Sequence, residues 1–449
     1  MPALVGNDLY PLAASELASR RIDHDTRWDY YEGKQKVFLK IREGEPDYNV
    51  IVNLAARVVE QSVNFLIGKM PQFDLPGDDE KTASMEKMIV AWLERYDGEE
   101  LLNDLFTTGA VCGHVFVKLV MDGQDVRPTY LDPSLVTVFW DPTDKSRPVG
   151  YMITWDEQRG NEVVIHREDH MRSENGTNWV IRSYTGNGAT WTIAGEDMIW
   201  PYPFSQIVDW KNLPNPRGYY GKSDLEKGIL RLNDIYNFRQ SNTNKILYIH
   251  AHPRTVAFGV DRTKIQNTTI DGLWTIPETN ADVKNLEMQS DLESSRQHAL
   301  DMKADFFGDA QMVDLSALKD KIGQITNFGL RLMFAEALAK NRKKRLLAGR
   351  GLAEMIRRAG EIMRLDWSGI SVTWDDPLPE NENEQVTNAK EKIAMKVASR
   401  QTEAERMGYD WERERKRMDE ERAQTGYNLE QALLNAMRDP NTPASQDTE

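Results

Sequence analysis

The sequence predicts an α+β protein, mainly helical, with an antiparallel β-rich segment set between long helices. Three observations predict it. Apolar residues recur every three to four positions through the first ninety-odd residues, as in helices with one buried face. Between His114 and Trp210 the period falls to two, with Asp-Gly and Asn-Gly turns between short runs, as in antiparallel strands. From Tyr219 onward helical spacing returns, broken once by a compact mixed segment at His252–Met288.

The elements follow in order. A polar helix is expected at Ala13–Tyr31, carrying Trp28, Tyr30 and Tyr31. An amphipathic helix at Val52–Lys69 runs through Leu54, Val58, Val59, Val63 and Leu66 and stops at Gly68-Lys69-Met70-Pro71. Asp79–Tyr96 and Glu99–Val111 are two more. Val115, Val117 and Leu119 then alternate with Phe116 and Lys118, and Asp122-Gly123 marks a hairpin. Further strands are expected at Val126–Leu131, Leu135–Phe139, Val149–Trp155, Glu162–Arg167, Trp179–Tyr184 and Thr190–Ile193, a meander rather than βαβ units.

Tyr219–Ile249 reads as one long helix. Leu225, Ile229, Leu232, Ile235 and Phe238 give it an apolar stripe, and past Phe238 it turns polar with Gln240, Asn242, Asn244 and Lys245. A helix polar on most sides needs copies of itself as neighbours, or lines a wet space. Ser223 and Glu226 form Ser-x-x-Glu, a capping box for its start. Arg254–Phe258 and Leu273–Pro277 are strand candidates, and Asp291–Phe307 is a second helix. Phe328–Arg364 is a long helix interrupted by Gly349 and Gly351, and Ile370–Trp374 is a short strand. Asn381–Arg400 and Thr402–Gln424 are charged helices, and Asp439–Glu449 reads as a disordered tail.

Composition narrows the function. Of 449 residues, 40% are hydrophobic and 28% charged, which supports real cores in a soluble chain. No apolar run of about 18 residues exists, so no membrane span is expected, and the N-terminus lacks a signal-peptide pattern. The single cysteine, Cys112, excludes an internal disulfide and a cysteine-cluster zinc site. The net charge is −15, whereas a protein that grips DNA tightly should be basic.

Catalytic motifs are weak. Gly221-Lys222-Ser223 ends like a phosphate-binding loop, but Pro216 stands where the first glycine belongs. His166 and His170 flank Arg167, where a zinc protease pattern needs glutamate. His250 and His252 precede Pro253 at a helix end and read as structural. No catalytic, cofactor or metal residue is assigned, and no cofactor is expected. A basic cluster, Lys340, Arg342, Lys343, Lys344, Arg345, Arg350, Arg357 and Arg358, lies on one helix. It reads as phosphate contact or, better in an acidic chain, as salt bridges to acids such as Glu380, Glu382, Glu384 and Glu391 or to an adjacent subunit.

The order of elements resembles the portal proteins of tailed double-stranded-DNA phages. Tyr219-Tyr220-Gly221-Lys222-Ser223-Asp224-Leu225 is similar to the family's aromatic-Gly-x-Ser-x-Leu opening of its first stem helix, where Asn233, Asp234, Asn237 and Ser241 look like polar stem positions. Gln311–Gly329 looks like the tunnel loop, and Ile370–Glu380 resembles the strand followed by Asp-x-Leu-Pro. Lys396–Glu421 resembles the crown helices, with Ser399-Arg400-Gln401-Thr402 at the turn. Gly329 lacks the usual preceding serine, and the remaining crown is short.

The resemblance implies a non-enzymatic ring, usually of twelve subunits, at one capsid vertex, assembled in the host cytoplasm. It implies a wing (1–222), a first stem helix (223–250), a clip (251–289) and a second stem helix (290–308). A tunnel loop (309–327), a long wing helix and strand (328–380), a crown (381–424) and a flexible tail (425–449) follow. Double-stranded DNA would pass through the channel. The terminase large subunit, head-completion or adaptor proteins, and capsid and scaffold proteins would be partners, with no membrane involved. Lys319 and Lys321 are the tunnel-loop candidates for DNA contact; Asn237, Ser241 and Asn244 are the stem-lumen candidates; Arg342, Lys343 and Arg345 are the inter-subunit salt-bridge candidates. The rival readings are a nucleotide-dependent hydrolase using Gly221-Lys222-Ser223 and a capsid-associated adaptor or scaffold.

Overall fold

The computed structural model describes residues 10–422, less 42, 45, 78, 124, 142, 145, 161, 174, 189, 252–254, 259–265, 268–273, 276–281, 286–292, 319–326, 379–381 and 410. Two units divide the chain, Met1–Pro377 and Leu378–Glu449.

In the first unit, α1 (Tyr10–Tyr31) and α2 (Leu54–Leu66) are joined by an irregular strap. Asn53 caps α2 by accepting the Ala56 N–H at 3.0 Å. β1 (Gln72–Asp74), α3 (Glu80–Arg95) and α4 (Gly98–Cys112) follow. Next come β2 (His114–Asp122), β3 (Asp125–Leu131), β4 (Val136–Trp140), β5 (Pro148–Arg159), β6 (Glu162–Arg172), β7 (Trp179–Gly186) and β8 (Trp191–Ile193). β4 to β8 pair in sequence order, all antiparallel, so the expected meander is present.

Sequence periodicity missed two strands here. β9 (Met198–Trp200) adds to β7, and β10 (Ile207–Lys211) returns across the chain to pair with β2, giving the order β10-β2-β3. The stretch around Pro201–Phe204 gave no turn-bounded run, and the partner of β10 lies some ninety residues earlier.

The first long helix is shorter than expected. α5 spans Lys227–Ala251, so Tyr219–Glu226 is extended chain and turn. Half of the predicted capping box forms, with the Ser223 N–H donating to Glu226 Oε1 at 3.2 Å. Ser223 Oγ accepts instead from the Leu225 N–H at 2.8 Å, closing a local turn. β11 (Thr255–Phe258) pairs with β14 (Asp282–Asn285), and β12 (Gln266–Asn267) with β13 (Trp274–Thr275). α6 (Glu293–Asp309) packs on α5.

After α7 (Leu315–Leu318) and α8 (Asn327–Met333), α9 (Ala335–Met363) runs unbroken through both glycines that were expected to interrupt it. Gly351 is a packing residue, because a Cβ there would lie 2.4 Å from the Trp210 ring. β15 (Ser371–Thr373) pairs antiparallel with β1, nearly three hundred residues away. One core joins α2, α4, β2, β10 and α9 through Val59, Leu105, Phe116, Val208, Leu352 and Ile356. In the second unit, α10 (Glu382–Ala394) and α11 (Arg400–Arg406) precede α12 (411–422), and Ser399 caps α11 through the Thr402 N–H.

Candidate functional site around the first long helix

Three polar clusters gather around residues 209–244. The first explains the false phosphate-loop ending. Gly113, at φ +92°, turns α4 into β2, and a Cβ there would meet Ser223 N at 2.8 Å. A Cβ on Gly221 would meet Gly113 O at 2.4 Å. The two backbones therefore cross in contact, and glycine is needed for that crossing rather than for a phosphate. Ser223 Oγ is committed too, donating towards the carbonyls of Ala110 and Val111 at 2.9 and 2.6 Å.

Asp209, on β10, is largely buried beside that crossing. It accepts from His114 Nε2 at 2.8 Å, Tyr151 OH at 2.8 Å and Tyr219 OH at 2.6 Å. An Asp–His pair suggests hydrolytic chemistry, but His114 Nδ1 accepts the Gly221 N–H at 3.3 Å. Both ring nitrogens are thus engaged inside the protein, which leaves none to take a proton from a substrate. Burial outweighs Asp209 and lowers the His114 pKa, so the ring is neutral with its proton on Nε2. Among the described residues no group of three or more His, Cys, Asp or Glu side chains could hold a metal ion. His166 pairs with Glu157 at 2.6 Å and stacks on Trp155, while buried His170 meets Glu168.

The second cluster sits at the approach to α5. Asp224 is buried, with Lys340 Nζ 3.0 Å from Oδ1 and Lys344 Nζ against Oδ2. Lys344 also reaches Ser62 Oγ of α2 at 2.5 Å, and Lys340 donates to the carbonyl of Ala310 at 2.8 Å, just past α6. One carboxylate thus ties the start of α5 to α2, α9 and the end of α6. Burial favours a neutral Asp224, but the two ammonium groups outweigh it and bring its pKa down to about 2. Burial lowers the Lys344 pKa to about 8, against the pull of Asp224.

The third cluster runs along α5. Asn233 Oδ1 accepts the Leu54 N–H at 3.2 Å, Asn237 Oδ1 the Val52 N–H at 2.9 Å, and Ser241 Oγ the Val50 N–H at 2.9 Å. Asn244 Nδ2 donates to the Tyr48 carbonyl at 3.0 Å. Gln35 ties the amides of Asn233 and Asn237 together from the strap side. Four helical residues rise about 6.0 Å, and two extended residues advance about 6.6 Å. Every fourth residue of α5 can therefore serve alternate amides of the antiparallel strap.

The site candidates are placed as follows. Asn237 and Ser241, expected on a wet lumen, are buried at 1% and 2% exposure against their own chain. Their polarity satisfies strap amides that would otherwise be buried unpaired, so the lumen assignment is withdrawn for both. Asn244 is exposed. Arg345 is half-buried and holds the carbonyls of Phe65 and Asp375 within the chain, so its guanidinium is already engaged. Arg342 and Lys343 are exposed and make no ion pair among the described residues. Lys319 and Lys321 lie outside the described residues, as does His252. Lys340 and Lys344 were hidden in the sequence among six other basic residues. Their spacing of four, which sets them on a different face from Arg342 and Lys343, was the available signal.

These clusters are struts, with every reactive-looking group engaged by a neighbouring element. The chain uses these groups to brace its own elements. It belongs to the phage portal protein, SPP1 Gp6-like family, whose model matches residues 15–426. That family is a non-enzymatic component of the virion. No curated protein sequence matches the chain. Among solved structures, a chain of the virion of a native gene transfer agent particle is similar at TM-score 0.49 and 14% identity, covering 86% of this chain and 94% of that one. Chains from the neck of the native particle, computed with C12 symmetry, and the neck of the empty particle, computed with C6 symmetry, give TM-scores of 0.45 and 0.47. Each is 14% identical and covers 79% of this chain, with 89% and 90% of the other chain covered. Among the described residues no helix is long and apolar enough to cross a membrane.

Proposed function

We propose that copies of this chain close into a ring, twelve in number, at one capsid vertex, with an axial channel through which double-stranded DNA passes during packaging and ejection. The observation that carries this reading is the family match across residues 15–426. Supporting it, α5 has 25 residues, about 37 Å at 1.5 Å each, long enough for a channel wall. Phe238, Leu247 and Tyr248 on α5 and Leu300 on α6 are exposed, apolar surface that neighbouring copies would cover. A charge of −15 per copy suits a channel that repels phosphate and lets DNA slide.

In this reading 223–250 and 290–308 form the stem, and 251–289 forms the clip on which the terminase large subunit and later the head-completion proteins dock. Asn244 remains a lumen candidate, and Lys319 and Lys321 would touch passing phosphates sparsely. Mass photometry and end-on negative-stain images of the purified chain test the reading. The expected result is a ring with a central hole and a mass of about 600 kDa for twelve copies of 51.5 kDa each. A monomer or dimer at every concentration would sink it.

A further inference from the structure

The face of α9 turned away from Asp224 carries a groove of about 580 Å³ between the helix and β15. Its walls are apolar, including Leu338, Leu346, Ile370 and Trp374. Arg342, Arg345 and Arg350 also line it, and among the described residues no acidic side chain does. Beside it, Asp375 pairs with Lys69 at 3.8 Å and Asp376 with Arg331 at 2.8 Å, and both also face Arg345.

Two buried polar atoms at the groove have no hydrogen-bond partner among the described residues. Asn341 is 4% exposed; its Nδ2 donates to the Phe65 carbonyl, while its Oδ1 accepts from nothing. Arg345 Nε is likewise unpaired. Buried polar atoms are ordinarily satisfied, so these two are a local deficit in the bonding beneath the groove floor.

The surface extends beyond the groove. Phe328, Leu332 and Met333 of α8 are exposed at 77%, 66% and 43%, and Leu346 at 56%. Helical backbone bonds continue through Phe334, so α8 leads directly into α9. From Phe328 to Arg350 the exposed face is about 33 Å long at 1.5 Å per residue. That is macromolecular in scale. It is basic and apolar, whereas the whole chain carries −15.

We infer that this groove is an interface between copies, which takes an acidic, apolar-anchored segment of the adjacent copy. The inference rests on the ring reading, which supplies the second copy. Carboxylates of the neighbour would meet the exposed Arg342 and Arg350, and an apolar side chain would sit between Leu346 and Trp374. Charge complementarity selects a copy of this acidic chain over a nucleic acid, because a nucleic acid offers no apolar anchor for that wall.

The test uses the full-length chain. A photo-crosslinking amino acid at position 346 should capture a second copy, giving a denatured band at twice 51.5 kDa. A crosslink only within one chain, or only to another protein, overturns the inference. In parallel, Arg342→Glu with Arg350→Glu should lower the ring fraction at least about tenfold, while Arg342→Lys with Arg350→Lys keeps most of it. Circular dichroism on the dispersed variant shows whether it remains folded; loss of fold passes the decision to the crosslink. Rings of wild-type mass and salt tolerance from the charge-reversed variant overturn the groove and leave the ring reading standing. A wild-type chain that never assembles overturns both.

Discussion

The approach to α5 and its middle are both pinned by buried polar groups, through opposite chemistry. At the approach, one carboxylate faces two ammonium groups, a charged cluster with an excess of positive charge. Along the middle, neutral amides and a hydroxyl meet backbone amides in a fixed register. The charged cluster joins four distant elements at a point, and its strength depends on pH. The neutral ladder joins two elements along a line, and it specifies alignment with no titratable group.

The comparison can be broken most sharply at Asp224. Asp224→Asn leaves two buried ammonium groups without their counter-charge and should cost about 3–5 kcal/mol, read by chemical denaturation. Asn237→Ala should cost about 1–3 kcal/mol by leaving the Val52 amide buried and unpaired. Acid separates the two regions next. The folded pKa of Asp224 lies below its ordinary value, so its contribution is present above pH 4 and is lost as pH falls from 4 towards 2. About 2 kcal/mol should disappear over that window in the wild type and in Asn237→Ala, and be missing from the acid limb of Asp224→Asn. Lys344→Met should cost less than Asp224→Asn, because Lys340 and Asp224 remain as a balanced pair. Asn244→Ala, at the exposed end of the ladder, should change stability by no more than about 0.5 kcal/mol, and a larger loss would show that the ladder acts as one unit.

Sequence spacing located α1 to α4 within a few residues, together with the β4–β8 meander, because each carries its own period. It missed β1 and β10, whose pairing partners lie far along the chain, and the three-residue β9, which is too short to show a period. The Ser223–Glu226 pattern places the start of α5 too early, because only half of the box forms and the helix begins at Lys227. The polar surface past Phe238 was legible as unusual, but its cause was not. Nothing in Asn233, Asn237 and Ser241 announces that a strap near residue 50 supplies the partners. The helix divides the basic cluster on α9 in a way the spacing does not announce: Lys340 and Lys344 turn inward to Asp224, whereas Arg342, Lys343 and Arg350 are exposed.

The ladder also behaves as a vernier. Each four-residue step along α5 turns about 40° beyond a full circle and falls about 0.6 Å short of the strap's two-residue step. From Asn233 to Ser241 the acceptors rotate steadily off the strap line. The last rung comes after three residues, at Asn244, and turns about 60° back. A strap held this way can be only a few rungs long, and its slippage is limited from both ends. The number of asparagine-like positions on α5 is thus a measure of how much chain it can hold.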